Sequence, residues 1–84
     1  MISVCIPTYC YDTRKLIEAI YQQGQRFNIA FEIIVVDDGS PAEWQQINAQ
    51  VREMAQYIVL PSNIGRAAVR NLFLKYVRYD WLLF

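Results

Sequence analysis

The sequence predicts an α/β fold, a doubly wound and mostly parallel sheet of about four strands with helices on both faces. Two observations carry this. Short apolar runs alternate along the chain with longer stretches of helical periodicity, the pattern of successive βαβ units. One of the runs, Phe31 to Val36, is nearly continuous and rich in β-branched residues, as a strand covered on both faces requires.

The first run, Ile2-Ser3-Val4-Cys5-Ile6, ends at Pro7, which has no N–H to give to a ladder. Asp12 is a helix N-cap in this reading. Leu16, Ile17, Ile20 and Tyr21 then share one helical face, and Gly24 offers a stop, so the first helix is expected from about residue 13 to about residue 23. The second strand closes on Asp37-Asp38-Gly39-Ser40. Ser40-Pro41-Ala42-Glu43 reads as a capping box with proline at the first helical position, followed by the apolar stripe Trp44, Ile47, Val51 and Met54. Tyr57-Ile58-Val59-Leu60 is a short third strand, stopped by Pro61 and the turn at Ser62-Asn63. Val69, Leu72, Phe73, Tyr76 and Val77 mark a third helix, and Trp81-Leu82-Leu83-Phe84 is a fourth apolar run. Nothing suggests a linker or repeat, so residues 1–84 are expected to form one unit.

Composition excludes several functions. Eight Lys and Arg balance eight Asp and Glu, which gives no reason to expect nucleic acid as a partner. No apolar run approaches the ~18 residues that would span a bilayer, and a cytoplasmic location is expected. With no His in its 84 residues, the chain holds neither a Ser-His-Asp triad nor a His-based metal site. Cys5 and Cys10 lack CxxC or zinc spacing, and a disulfide framework is not expected.

Ligands of open parallel sheets bind at the carboxyl ends of the strands. The unusual residues lie at those ends: Pro7, Thr8 and Tyr9 after the first strand, Asp37 to Ser40 after the second, and Asn63 to Arg66 after the third, with Arg70 one helical turn on. Tyr9 can stack on a base. A carboxylate of Asp37 or Asp38 can accept from a pyrimidine N3–H or a ribose hydroxyl, and Gly39 leaves room for the approach. Arg66 and Arg70, four residues apart, can both reach one pyrophosphate beside the N-terminus of the third helix. Each also has a structural alternative: an exposed loop aromatic for Tyr9, turn chemistry for the aspartates, a solvated face for the arginines, and a cap and a turn for Asn63 and Gly65. Since Ser40 and Glu43 already cap the second helix in this reading, Asp38 is left for a ligand. The chain lacks GxGxxG after the first strand and lacks GxxxxGK[ST], and its acidic pair follows the wrong strand for a phosphoacceptor receiver domain.

Taken in order, Ser3-Val4-Cys5-Ile6-Pro7-Thr8-Tyr9, then Glu32-Ile33-Ile34-Val35-Val36-Asp37-Asp38-Gly39-Ser40, then Asn63-Ile64-Gly65 with Arg70-Asn71, resemble the opening motifs of family 2 glycosyltransferases with the GT-A fold. The resemblance runs the length of the chain. It implies a strand order of 3-2-1-4, a base pocket lined by Pro7, Thr8 and Tyr9, and Asp38 on the uracil or ribose of a nucleotide sugar, a UDP-sugar by preference. Asp37, closer to the sheet, is the weaker of the pair. Arg70 matches an arginine near base and phosphates, and Arg66 has less support. Cys10 stands where the family usually has Asn.

The resemblance also implies that Asp80 to Phe84 leads into an acidic DxD motif holding Mg²⁺ or Mn²⁺ in the full-length enzyme. No metal ligand or general base is therefore expected in this chain. It should act as the nucleotide-binding portion of an enzyme that transfers a sugar to an acceptor hydroxyl, inactive alone and with about millimolar affinity or weaker. The alternative is a non-catalytic α/β module that binds or self-associates, with a homo-oligomer formed through an exposed apolar edge at Trp81 to Phe84. A monomer mass at high micromolar concentration would remove it.

Overall fold

The computed structural model describes residues 2–75 and the backbone of 81–83. Four parallel strands, β1 (Ile2–Thr8), β2 (Phe31–Asp37), β3 (Gln56–Val59) and β4 (Trp81–Leu83), lie in the order β3-β2-β1-β4. The register pairs Val4 with Ile33 and Thr8 with Asp37 on one side of β1, and Ile2 with Trp81 on the other. Between the strands lie α1 (Arg14–Arg26), α2 (Ala42–Asn48) with a 3₁₀ turn at Ala49–Glu53, and α3 (Arg66–Phe73). The expected architecture and strand order are observed.

Alternation of side chains along the strands divides the core into two layers. Val4, Ile33, Val35 and Tyr57 pack with Ile17 of α1 and Val51 of the 3₁₀ turn on one face. Cys5, Ile34 and Val36 pack with Val69 and Phe73 of α3 on the other. Because crossovers between parallel strands are right-handed, two steps outward from β1 to β3 put their helices on one face. The reversed step to β4 puts α3 on the opposite face. That reversal makes the carboxyl end of β1 the place where loops diverge and a crevice opens.

Several boundaries differ from those expected. Gly24 does not stop α1. Its missing side chain makes room for the Phe31 ring, which a Cβ at residue 24 would meet at 2.3 Å, and Phe31 in turn packs edge-on against Tyr21. The helix ends two residues later, at Arg26, in a Schellman motif: Asn28 takes φ 54°, Ile29 N donates to Gly24 O and Asn28 N donates to Gln25 O. Leu16, assigned by its spacing to the buried face, is 44% exposed. The position before α1 is Thr13, yet its side chain caps nothing; Asp12 Oδ1 accepts the Arg14 N–H instead.

No capping box forms at α2. Pro41 occupies the cap position, and Ser40 is turned to other partners. The stripe on the second helix is kinked into the 3₁₀ turn at Ala49, with Val51 its one fully buried member. The expectations for Tyr76 and Val77, and for an apolar surface on the side chains of Trp81 to Phe84, lie outside the described residues. No helix among the described residues is long and apolar enough to cross a membrane.

Candidate nucleotide-binding cleft

A cleft of about 760 Å³ opens at the carboxyl ends of β1 and β2, within the range of small-ligand sites. Six of the seven residues singled out in the sequence line it: Pro7, Thr8 and Tyr9 from β1 and its loop, Asp38 from the loop after β2, and Arg66 and Arg70 from α3. They meet because parallel strands in register deliver their carboxyl ends to one edge.

Asp37 is the exception. Its side chain is fully buried, with Oδ1 accepting the Ser40 N–H at 2.8 Å and Oδ2 accepting the Tyr57 hydroxyl at 2.5 Å. Burial, together with this bond, holds the Tyr57 phenol well above its ordinary pKa, so Tyr57 is a donor at any physiological pH. Asp37 thus braces the floor of the cleft and forms no part of its wall.

Asp38 is also engaged. Its oxygens accept the N–H groups of Ile64 at 2.7 Å and Gly65 at 3.0 Å, tying the loop before α3 to the end of β2. This places a negative charge at the positive end of α3. The expectation that capping by Ser40 leaves Asp38 unoccupied is corrected, since the carboxylate organises a different loop. A carboxylate offers about four acceptor sites, so one bond at each oxygen leaves capacity for a ligand donor.

Gly39 makes the junction with that loop possible. Its φ is +79°, and a Cβ there would meet the carbonyl carbon of Ser62 at 2.6 Å. The approach it permits is thus to backbone, where the sequence reading had placed a ligand.

Tyr9 is half exposed on the rim, and its phenol is raised from its ordinary value, first by the neighbouring Cys10 and then by Asp38 and Asp37. It therefore stays neutral, as a stacking surface should. Thr8 is buried, with 7% exposure, and its Oγ1 is the buried side-chain oxygen left without a hydrogen-bond partner among the described residues. Such an orphan group is costly, about 1–3 kcal/mol, unless something completes it.

The sequence reading missed Ile6, Leu16 and Val69, which add apolar wall, and Tyr11 and Thr13, which complete the lining. Tyr11 could have been found: it stands two residues beyond Tyr9 in the same loop and is 59% exposed. Asn48 also carried a signal, a polar residue one turn from both Trp44 and Val51 on a helix face meant for the core. Among the described residues no group of three or more His, Cys, Asp or Glu side chains converges as a metal site. Cys5 and Cys10 are both free thiols.

None of the curated proteins matches this chain. Among solved structures it is similar to S. aureus TarS, with a TM-score of 0.69 and 29% identity over 99% of this chain. The chain spans 16% of the length of that protein. The family model described as "Glycosyl transferase family 2" matches residues 3–84. The motifs, the strand order and the cleft they build therefore have one common account: the chain belongs to glycosyl transferase family 2.

Proposed function

We propose that this chain forms the donor-nucleotide half of a glycosyltransferase site, for an enzyme that moves a sugar from a nucleotide-diphosphate sugar, a UDP-sugar by preference, to an acceptor hydroxyl. The observation that carries the reading is the cleft at the carboxyl ends of the strands, which gathers Tyr9, Asp38, Arg66 and Arg70 on one wall. A nucleotide has a group for each of these. Its base meets the Tyr9 ring, a base N–H or ribose hydroxyl donates to Asp38, and the two guanidinium groups receive the diphosphate.

Family 2 enzymes generally use a divalent metal. The aspartates of this chain do not fit that role, because Asp37 is sealed beneath the cleft and Asp38 holds two backbone N–H groups. The reading therefore assigns these residues binding and orientation, and expects no turnover from this chain alone. Two free thiols suit a reducing compartment such as the cytoplasm.

The test is a titration of uridine and of uridine diphosphate followed by amide NMR, with and without Mn²⁺. Shifts should be confined to the loops at Tyr9, Asp38 and Arg70. Arg66→Ala and Arg70→Ala should each weaken the diphosphate about fivefold while leaving uridine unchanged, since each removes a charge-assisted contact to phosphate. Absence of shifts at millimolar ligand would remove the reading. Asp38→Ala is a poorer test, because it also releases the loop at Ile64 and Gly65.

A further inference from the structure

We propose that Asn48, at the end of α2 and outside the cleft, is a positioning residue that holds the aromatic wall of the nucleotide site, an inference that rests on the nucleotide reading above. Asn48 is fully buried. Its Oδ1 accepts both the Thr13 N–H at 2.8 Å and the Thr13 hydroxyl at 2.7 Å, and its Nδ2 donates to the Tyr11 carbonyl at 2.7 Å. One side chain thus fixes three polar groups of a loop 35 to 37 residues earlier in the chain.

The segment it fastens is the one that needs fastening. Tyr11 and Thr13 line the cleft, and Tyr9 stands just before them. Cys10, between the two tyrosines, has φ 52°, a left-handed conformation that a non-glycine residue keeps only when its surroundings impose it. Ser40 adds a second tether from the same side, its Oγ accepting the Cys10 N–H at 2.8 Å. Side chains of the segment around α2 therefore hold Cys10, Tyr11 and Thr13 in turn.

Thr13 reveals what this arrangement displaces. A threonine just before a helix ordinarily turns its hydroxyl to a free N–H of the first turn. Here the hydroxyl donates to Asn48, and α1 has no side-chain cap from this position. The Thr13 side chain thus serves the contact with α2, while the first-turn N–H of Arg14 goes to Asp12 Oδ1. A loop aromatic supports binding only when its ring is already in place, because ordering it on association subtracts from affinity.

The experiment compares Asn48→Ala with Val51→Ala, a core truncation in the adjoining 3₁₀ turn at a residue that lies outside the loop and the lining of the cleft. Both lose stability. Asn48→Ala should bind uridine diphosphate about fivefold more weakly by amide-shift titration, and should accelerate hydrogen exchange at Tyr11 to Thr13 relative to the strands. Val51→Ala should keep the affinity of the unsubstituted chain. If Asn48→Ala does not fold, Asn48→Asp decides: it keeps the volume and both bonds from Thr13 but sets a carboxylate against the Tyr11 carbonyl, and the same loss is expected.

Equal binding by the Asn48 variant and the unsubstituted chain overturns the inference and leaves the nucleotide reading standing. Equal weakening in the Asn48 variant and Val51→Ala also overturns it, since general loss of stability would then suffice. Failure of the unsubstituted chain to bind overturns the nucleotide reading first, and the inference with it.

Discussion

Cys10 carries a backbone conformation suited to another residue. At φ 52° its side chain crowds the following carbonyl, a strain of about 1–2 kcal/mol that Asn relieves by local hydrogen bonding. Cys10→Asn is accordingly expected to raise stability by about 0.5–1 kcal/mol, read as a higher urea midpoint with an unchanged slope. Asn is also what the resemblance places at this position. Tyr57 illustrates the opposite case, a residue whose local choice looks arbitrary and whose partner explains it. Its hydroxyl satisfies Asp37 Oδ2 within the core. Tyr57→Phe keeps the ring but strands that oxygen, and a loss of about 1–3 kcal/mol is expected in denaturant unfolding.

Among the elements, the helix ends are set less by their own sequence than by what lies across from them. Ser40 and Glu43 have the spacing of a capping box, yet Ser40 donates its N–H to Asp37 in a local turn and accepts from Cys10 across 30 residues, so neither half of the box forms. The loops after β2 and β3 meet at Gly39, where both the positive φ and the nearby Ser62 and Asn63 backbone exclude a side chain. Gly39→Ala should therefore lose more than about 2 kcal/mol in thermal or urea unfolding, because it strains the turn and separates the two loops at once. By contrast, the Asp12 carboxylate is held down to about 2 by the Arg14 side chain and then by its N–H, on an exposed surface. Arg14→Ala should move the Asp12 midpoint, followed by carboxyl NMR, up toward the ordinary carboxylate range, with the backbone bond keeping part of the depression.

For the whole molecule, burial of Cys5 between β-strands and α3 couples stability to pH. Burial, and secondarily the charge of Glu32, pushes the thiol up to about 11, against 9.0 for an ordinary cysteine. The folded-state value is raised, so the folded chain holds this proton where the unfolded chain releases it. The contribution is complete below about pH 9 and is lost as pH rises toward 11. Cys5→Ala lowers the stability at neutral pH through the cavity it leaves, but should flatten this part of the alkaline decline in unfolding midpoints measured from pH 8 to 11.

The sequence by itself determined the class and the edge of the sheet where a ligand is met, and the family resemblance implied the strand order. The class and the edge follow from short-range rules: side-chain periodicity separates strand from helix, and the motifs sit at strand ends that a parallel sheet must bring together. Thus Pro7, Thr8, Tyr9, Asp38, Arg66 and Arg70 were readable as neighbours across 64 residues of chain. Only the tertiary structure decided what each polar group does there. A carboxylate or amide satisfies whichever donor lies nearest in space, and that donor was a tyrosine hydroxyl for Asp37, a distant loop for Asp38, and the β1–α1 turn for Asn48. Spacing along the chain records none of those distances, which is why the braces beneath the cleft became visible only once the chain was folded.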